Sequence, residues 1–135
     1  MAAPLSVQQK VVRIALLLVR AIGFLGGSLQ LVLGQPDTGP RLDNVHRFMA
    51  GIYLGSAIIA LWAAATVRRH DTLIDLIALA VFPGGCGHLA SMAVVGTRDP
   101  TALWLAYLVP ELLLPLVILA ARRMGGHAPP RPPGS

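Results

Sequence analysis

Glu111 is the only charged residue in a run of 21, Thr101–Ala121, that is otherwise almost entirely apolar. A helix of about 20 such residues crosses the hydrocarbon core of a bilayer. A carboxylate near the middle of that run is too short to reach water along the helix, so a group inside the protein has to neutralise it. A carboxyl held in such a place can also give or take a proton in an isomerisation or cyclisation that needs no cofactor. Glu111 is therefore the candidate catalytic residue.

The groups able to answer it follow from helical phase, about 100° per residue. In the stretch after Asp43, residues Asn44, Arg47, Gly51, Gly55 and Trp62 fall on one face, with His46 and Tyr53 opposite. In the next apolar stretch Gly84, His88 and Ser91 share a face, and in the last Trp104, Tyr107 and Glu111 do. Small residues mark a helix face that packs against protein in lipid, so the Gly51/Gly55 face, and Arg47 with it, is expected to point inward. Counting rise along each helix puts Arg47, His88 and Glu111 in the same half of the membrane. The expected arrangement is an ion pair between Arg47 and Glu111, with His88, Ser91, Tyr107 and Asn44 around a polar pocket for a lipid-like or isoprenoid-like molecule.

Plainer roles compete with these. Arg47 and Arg20 can snorkel to the nearer surface. Glu111 can serve a purely structural ion pair, and the glycines (Gly23 with Gly27, Gly51 with Gly55, and Gly84, Gly85 and Gly87) can serve helix packing alone. A narrower alternative makes Pro83–Gly87 a ligand groove. Pro110 and Pro115 remove the amides that would bond the carbonyls of Ala106 and Glu111, which frees backbone acceptors beside the acid. His46 faces away from the Arg47 side and lies near the surface, so it and His88 do not read as a haem pair. The sequence has no zinc spacing, no nucleophile–His–acid set and no phosphate loop, so neither a metal nor a cofactor is expected.

Four elements have to position these residues. Of the 135 residues 55% are hydrophobic and only 13% charged, where a soluble domain carries about a quarter charged. The apolar residues fall into four blocks, about 11–33, 44–67, 72–95 and 101–121, each long enough to span. Short connections make sequential spans antiparallel, which predicts an all-α, four-transmembrane-helix up-down bundle over residues 1–123. Residues 124–135 hold four prolines and three glycines and are expected to form a disordered tail. The first block is too long for a signal peptide and carries Arg20, so it reads as a retained span. Expected boundaries are Asp43 as N-cap of the second span, a Thr72–Asp75 capping box on the third, Gly96 at its end, and Asp99-Pro100 before the fourth. Asp71 and Asp75 then cap a helix in the headgroup region.

The net charge of +5 does not indicate nucleic acid. Lys10, Arg13, Arg68, Arg69, Arg122, Arg123 and Arg131 fall on one side of a four-span chain, while Arg41, Arg47 and Arg98 share the other with Asp37, Asp43 and Asp99. That asymmetry predicts both termini in the cytoplasm. The lone cysteine, Cys86, allows no intrachain disulfide.

Three segments carry a resemblance: Asn44-Val-His-Arg-Phe-Met-Ala-Gly-Ile-Tyr-Leu-Gly55, Gly84-Gly-Cys-Gly-His-Leu-Ala-Ser-Met92 and Glu111-Leu-Leu-Leu-Pro115. Together they resemble a family of small bacterial four-helix membrane proteins described as a domain of unknown function, over nearly the whole chain apart from the tail. The resemblance implies a bacterial inner-membrane protein and singles out Arg47, Tyr53, Ser91 and Glu111, which adds Tyr53 to the ligand-binding candidates. It places arginine where this chain has His88, and it supplies no activity. The rival to a ligand pocket is a non-enzymatic small subunit, packing its glycine face against a larger membrane complex or a second copy of itself.

Overall fold

The computed structural model describes residues 4–34, 38–97 and 101–125, and these form four helices: α1 (Val7–Leu33), α2 (Pro40–Ala65), α3 (Asp71–Val95) and α4 (Thr101–Gly125). Each is long and apolar enough to cross a membrane. The fold is an all-α four-helix bundle.

Local chemistry sets the helix ends. α1 starts at Val7 because Ser6 and Gln9 form a reciprocal capping box: the Gln9 amide donates to Ser6 Oγ and the Ser6 amide to Gln9 Oε1, both at 3.1 Å. It stops at Gly34, whose φ of +64° suits glycine. α2 begins with Pro40 in its first turn, so the expected N-cap, Asp43, lies inside the helix. α3 begins at Asp71 with no side-chain cap, and the expected Thr72–Asp75 box does not form, because Asp75 accepts from Arg122 instead. Gly96 ends α3 at φ +77°, as its position predicts. Asp99 and Pro100 lie outside the described residues. α4 continues through Met124 and Gly125, which the sequence reading assigned to the tail; Arg122, anchored on α3, holds that last turn in register.

Around the bundle α1 packs on α2 and α4, and α4 on α3, while α2 and α3 scarcely touch. The tight core lies toward the end that carries the first residues of α1 and the last of α4. There Leu16, Ile74 and Ile118 are fully buried with Ala63, Ala64 and Val67. At the same end Arg122 ties α4 to α3, donating through Nε to Asp75 at 2.5 Å, through Nη2 to the same carboxylate at 3.0 Å, and through Nη1 to Asp71.

Small residues join α1 to α2: the expected Gly23 and Gly27 on α1, but not the expected Gly51 and Gly55 on α2. A Cβ on Gly27 would sit 2.9 Å from the Ala50 carbonyl oxygen, and one on Gly23 3.2 Å from that of Tyr53. The facing stripe on α2 is alanine: Ala50, Ala57, Ala60, Ala63 and Ala64 are buried. Gly51 and Gly55 are exposed, with open space where a Cβ would go. The expectation that their face turns inward is therefore corrected. The alanine stripe, about half a turn around the helix, is already close enough to α1, so the glycines are left outside. Large apolar side chains cover the rest of the exterior, among them Phe48, Ile58, Leu79 and Leu116, as a surface solvated by lipid requires.

Candidate functional site

Glu111 stands on the edge of α4 that faces α3. The approach of the two helices there depends on Gly85, where a Cβ would lie 3.2 Å from Glu111 Cβ and 2.8 Å from Leu112 Cδ2. One turn further along α3, His88 comes level with the acid, and its Nδ1 lies 2.6 Å from Glu111 Oε2. The contact links α3 to α4. Trp104, on the same α4 face, meets the His88 ring edge-on at a centroid distance of 6.5 Å.

The pair is not sealed. The Glu111 side chain is 18% exposed and that of His88 34%, because both open onto a cleft of about 480 Å³ where α2 and α3 diverge. That volume falls within the range of about 300–1,000 Å³ typical of small-molecule sites. Val19, Ile22, Ala57, Ile77, Val81 and Leu114 line its depth, and Ile52, Ile59 and Leu76 flank it. The last three are each roughly half exposed. The polar groups in its wall are Tyr53, Ser56, His88 and Glu111. Along α3 the lining runs from Leu73 to His88, roughly 22 Å at 1.5 Å per residue.

Arg47 is not in the cleft, and its expected pairing with Glu111 is corrected. Its Nε donates to Asp43 Oδ2 at 2.8 Å and its Nη1 to the Leu31 carbonyl at 2.5 Å. It thus closes the last turn of α1, where orphaned carbonyls and the negative end of the helix dipole favour a cation. Side chains lean toward a helix N-terminus, which carries Arg47 back toward Asp43 and away from the bundle centre. Gly34 completes this corner, since any Cβ there would fall 2.7 Å from Arg47 Nη2.

The remaining candidates divide. Tyr53 lines the cleft, because the packed face of α2 lies beside it, on the side sequence reading set opposite Arg47. Tyr107 is half-buried against Gly26 of α1, where its Cε1 is 3.7 Å from the position of a Cβ. Asn44 and Ser91 are exposed and outside the cleft lining. Gly84 does line it, so part of the Pro83–Gly87 stretch borders a groove. Pro110, expected to free a backbone acceptor beside the acid, also lines it, as does Ser56, which was not singled out from sequence. Ile52, Tyr53, Ser56 and Ile59 recur at spacings of three and four and so share one face of α2, but that spacing does not say what the face meets. Among the described residues no cluster of His, Cys, Asp or Glu could hold a metal.

Fold and site together define a small multi-pass membrane protein whose one inter-helix imidazole–carboxylate pair, among the described residues, faces an apolar cleft. The chain belongs to the family described as a domain of unknown function (DUF4345), whose model matches residues 7–121. No curated protein and no solved structure matches it.

Proposed function

We propose that the cleft between α2 and α3 holds a lipid-like or isoprenoid-like molecule, with its polar end at His88 and Glu111. The observation that carries this reading is the 2.6 Å His88–Glu111 contact in the wall of an otherwise apolar cleft. A polar pair in hydrocarbon is costly unless its remaining donors and acceptors are used. His88 Nε2 and Glu111 Oε1 are the atoms left for a ligand. A carboxyl and an imidazole in contact are also equipped to protonate one atom of a bound molecule and deprotonate another, the step that a cofactor-free isomerisation or cyclisation requires. We place the protein in a bacterial inner membrane with both termini in the cytoplasm. Lys10, Arg13, Arg68, Arg69, Arg122 and Arg123 at one end of the bundle support that orientation.

The Glu111→Gln variant tests the reading. Charge-assisted hydrogen bonds are roughly twice as strong as neutral ones, so the variant should insert and fold while retaining at least tenfold less of any molecule that co-purifies with the wild type. Equal retention would overturn the proposal.

A second reading is favoured by the outward Gly51/Gly55 face: a subunit that packs against a partner helix there, in a larger complex or a homodimer. Gly51→Leu with Gly55→Leu meets nothing in the bundle, so it should leave the fold unchanged and disrupt any such assembly. An unchanged assembly size in mild detergent would exclude that face as the contact.

A further inference from the structure

The wall of the cleft also constrains the charge of what it can hold. Among the lining residues the ionisable groups of the polar end are His88 and Glu111, with Tyr53 beside them, and neither lysine nor arginine is present. The one arginine expected nearby, Arg47, is committed to Asp43 and the Leu31 carbonyl. His88, the one group there able to carry a positive charge, already faces Glu111 at 2.6 Å. An anionic headgroup therefore finds no lysine or arginine to act as its counter-charge. Moving an anion into low dielectric without one is strongly unfavourable.

The hydrogen-bonding groups point the same way. Glu111 Oε1 is an acceptor, and the Tyr53 and Ser56 hydroxyls both donate and accept. A ligand hydroxyl can donate to the carboxylate and accept from a neighbouring hydroxyl or from the imidazole. A hydrocarbon without a head leaves these groups unmatched, and a phosphate sets charge against charge. The lining, roughly 22 Å along α3 from Leu73 to His88, exceeds the hydrocarbon depth of one leaflet, about 15 Å, which suits a long single chain. Resting on the ligand-binding reading above, we infer that the occupant is an uncharged, hydroxyl-headed long-chain lipid, of the fatty-alcohol or isoprenoid-alcohol class, and that phosphorylated or otherwise anionic lipids are excluded.

The test uses the full chain in phosphatidylcholine nanodiscs, incubated with equal amounts of hexadecane, hexadecanol and hexadecyl phosphate and ejected intact for native mass spectrometry. Hexadecanol should form a one-to-one adduct in at least tenfold excess over the other two. Two plugged variants define adducts that occupy the cleft. Gly84→Phe projects a ring into space that is open at that glycine, and Ile59→Trp narrows the cleft from α2. Both should lose the hexadecanol adduct, and either suffices if the other fails to fold. If hexadecyl phosphate or hexadecane forms an equal or larger adduct that the plugs remove, the inferred head chemistry is wrong while the cleft remains a binding site. If no adduct responds to either plug, the ligand-binding reading itself falls, and this inference with it.

Discussion

Two adjacent glycines of α3 should respond in opposite ways to the same added methyl group. At Gly84 a Cβ meets nothing within 4 Å, whereas at Gly85 it would lie 2.8 Å and 3.0 Å from Leu112 Cδ2 and Cγ and 3.2 Å from Glu111 Cβ. Replacing a helical glycine with alanine where there is room stabilises by about 0.4–1 kcal/mol, mainly through the unfolded chain. That gain is common to both positions and cancels in the comparison. At Gly85 the Leu112 contacts can be relieved by rotating a flexible side chain. The Glu111 Cβ cannot rotate away, so α4 must retreat by a few tenths of an ångström, and overpacking of this kind costs about 1–3 kcal/mol. Gly84→Ala should therefore exceed Gly85→Ala in stability by about 1–3 kcal/mol, with Gly84→Ala at or slightly above wild type. Equilibrium unfolding in mixed micelles measures the difference directly. The retreat of α4 also stretches the His88–Glu111 contact, so Gly85→Ala should weaken ligand retention while Gly84→Ala affects it less. Equal stabilities for the two variants would refute the close approach of α3 and α4 on which the site is built.

Three further outcomes follow from the same geometry. A double-mutant cycle on His88→Ala and Glu111→Gln should give a coupling energy of about 0.5–3 kcal/mol in unfolding titrations, and a coupling near zero would mean the two side chains do not interact. Arg47→Ala should cost only about 1 kcal/mol, because its pair with Asp43 is surface-exposed and its contribution is to close α1; hydrogen exchange should rise in the last turn of α1 and leave the residues around His88 unchanged. Arg122→Ala removes a cation shared by two carboxylates and should destabilise by about 1–2 kcal/mol, with the loss shrinking in high salt because Asp71 is largely exposed; a salt-independent loss would argue against the electrostatic account.

The span pattern was legible because hydrophobic runs of bilayer length allow little else. Glu111 was legible for the same reason, a charge where none is cheap. Its partner was not. Phase and depth placed Arg47 and His88 equally well, and the choice between them turned on which helices come into close contact. Gly85 brings α3 to α4, whereas α2 stands on the far side of the cleft. Arg47 had a nearer carboxylate four residues back, at the spacing that pairs side chains on one helix, and that local bond took precedence. The inward face of α2 was misread because glycine and alanine both permit close packing. The alanine stripe is longer, running from Ala50 to Ala64, and it decides the face. Gly84 lay in the Pro83–Gly87 run that offered a groove, but Ser56 could be placed in the cleft only once the divergence of α2 from α3 was known, and nothing local to it encodes that divergence.

The central claim is that the space between α2 and α3 is occupied by a lipid-like molecule in the native membrane. Extracting the wild type and the Gly84→Phe variant directly into polymer-bounded native nanodiscs, and identifying by mass spectrometry the molecules that stay bound after exchange into phosphatidylcholine, tests it most directly. The account predicts a long-chain species retained by the wild type and absent from the plugged variant. Identical profiles from two equally folded proteins would contradict it.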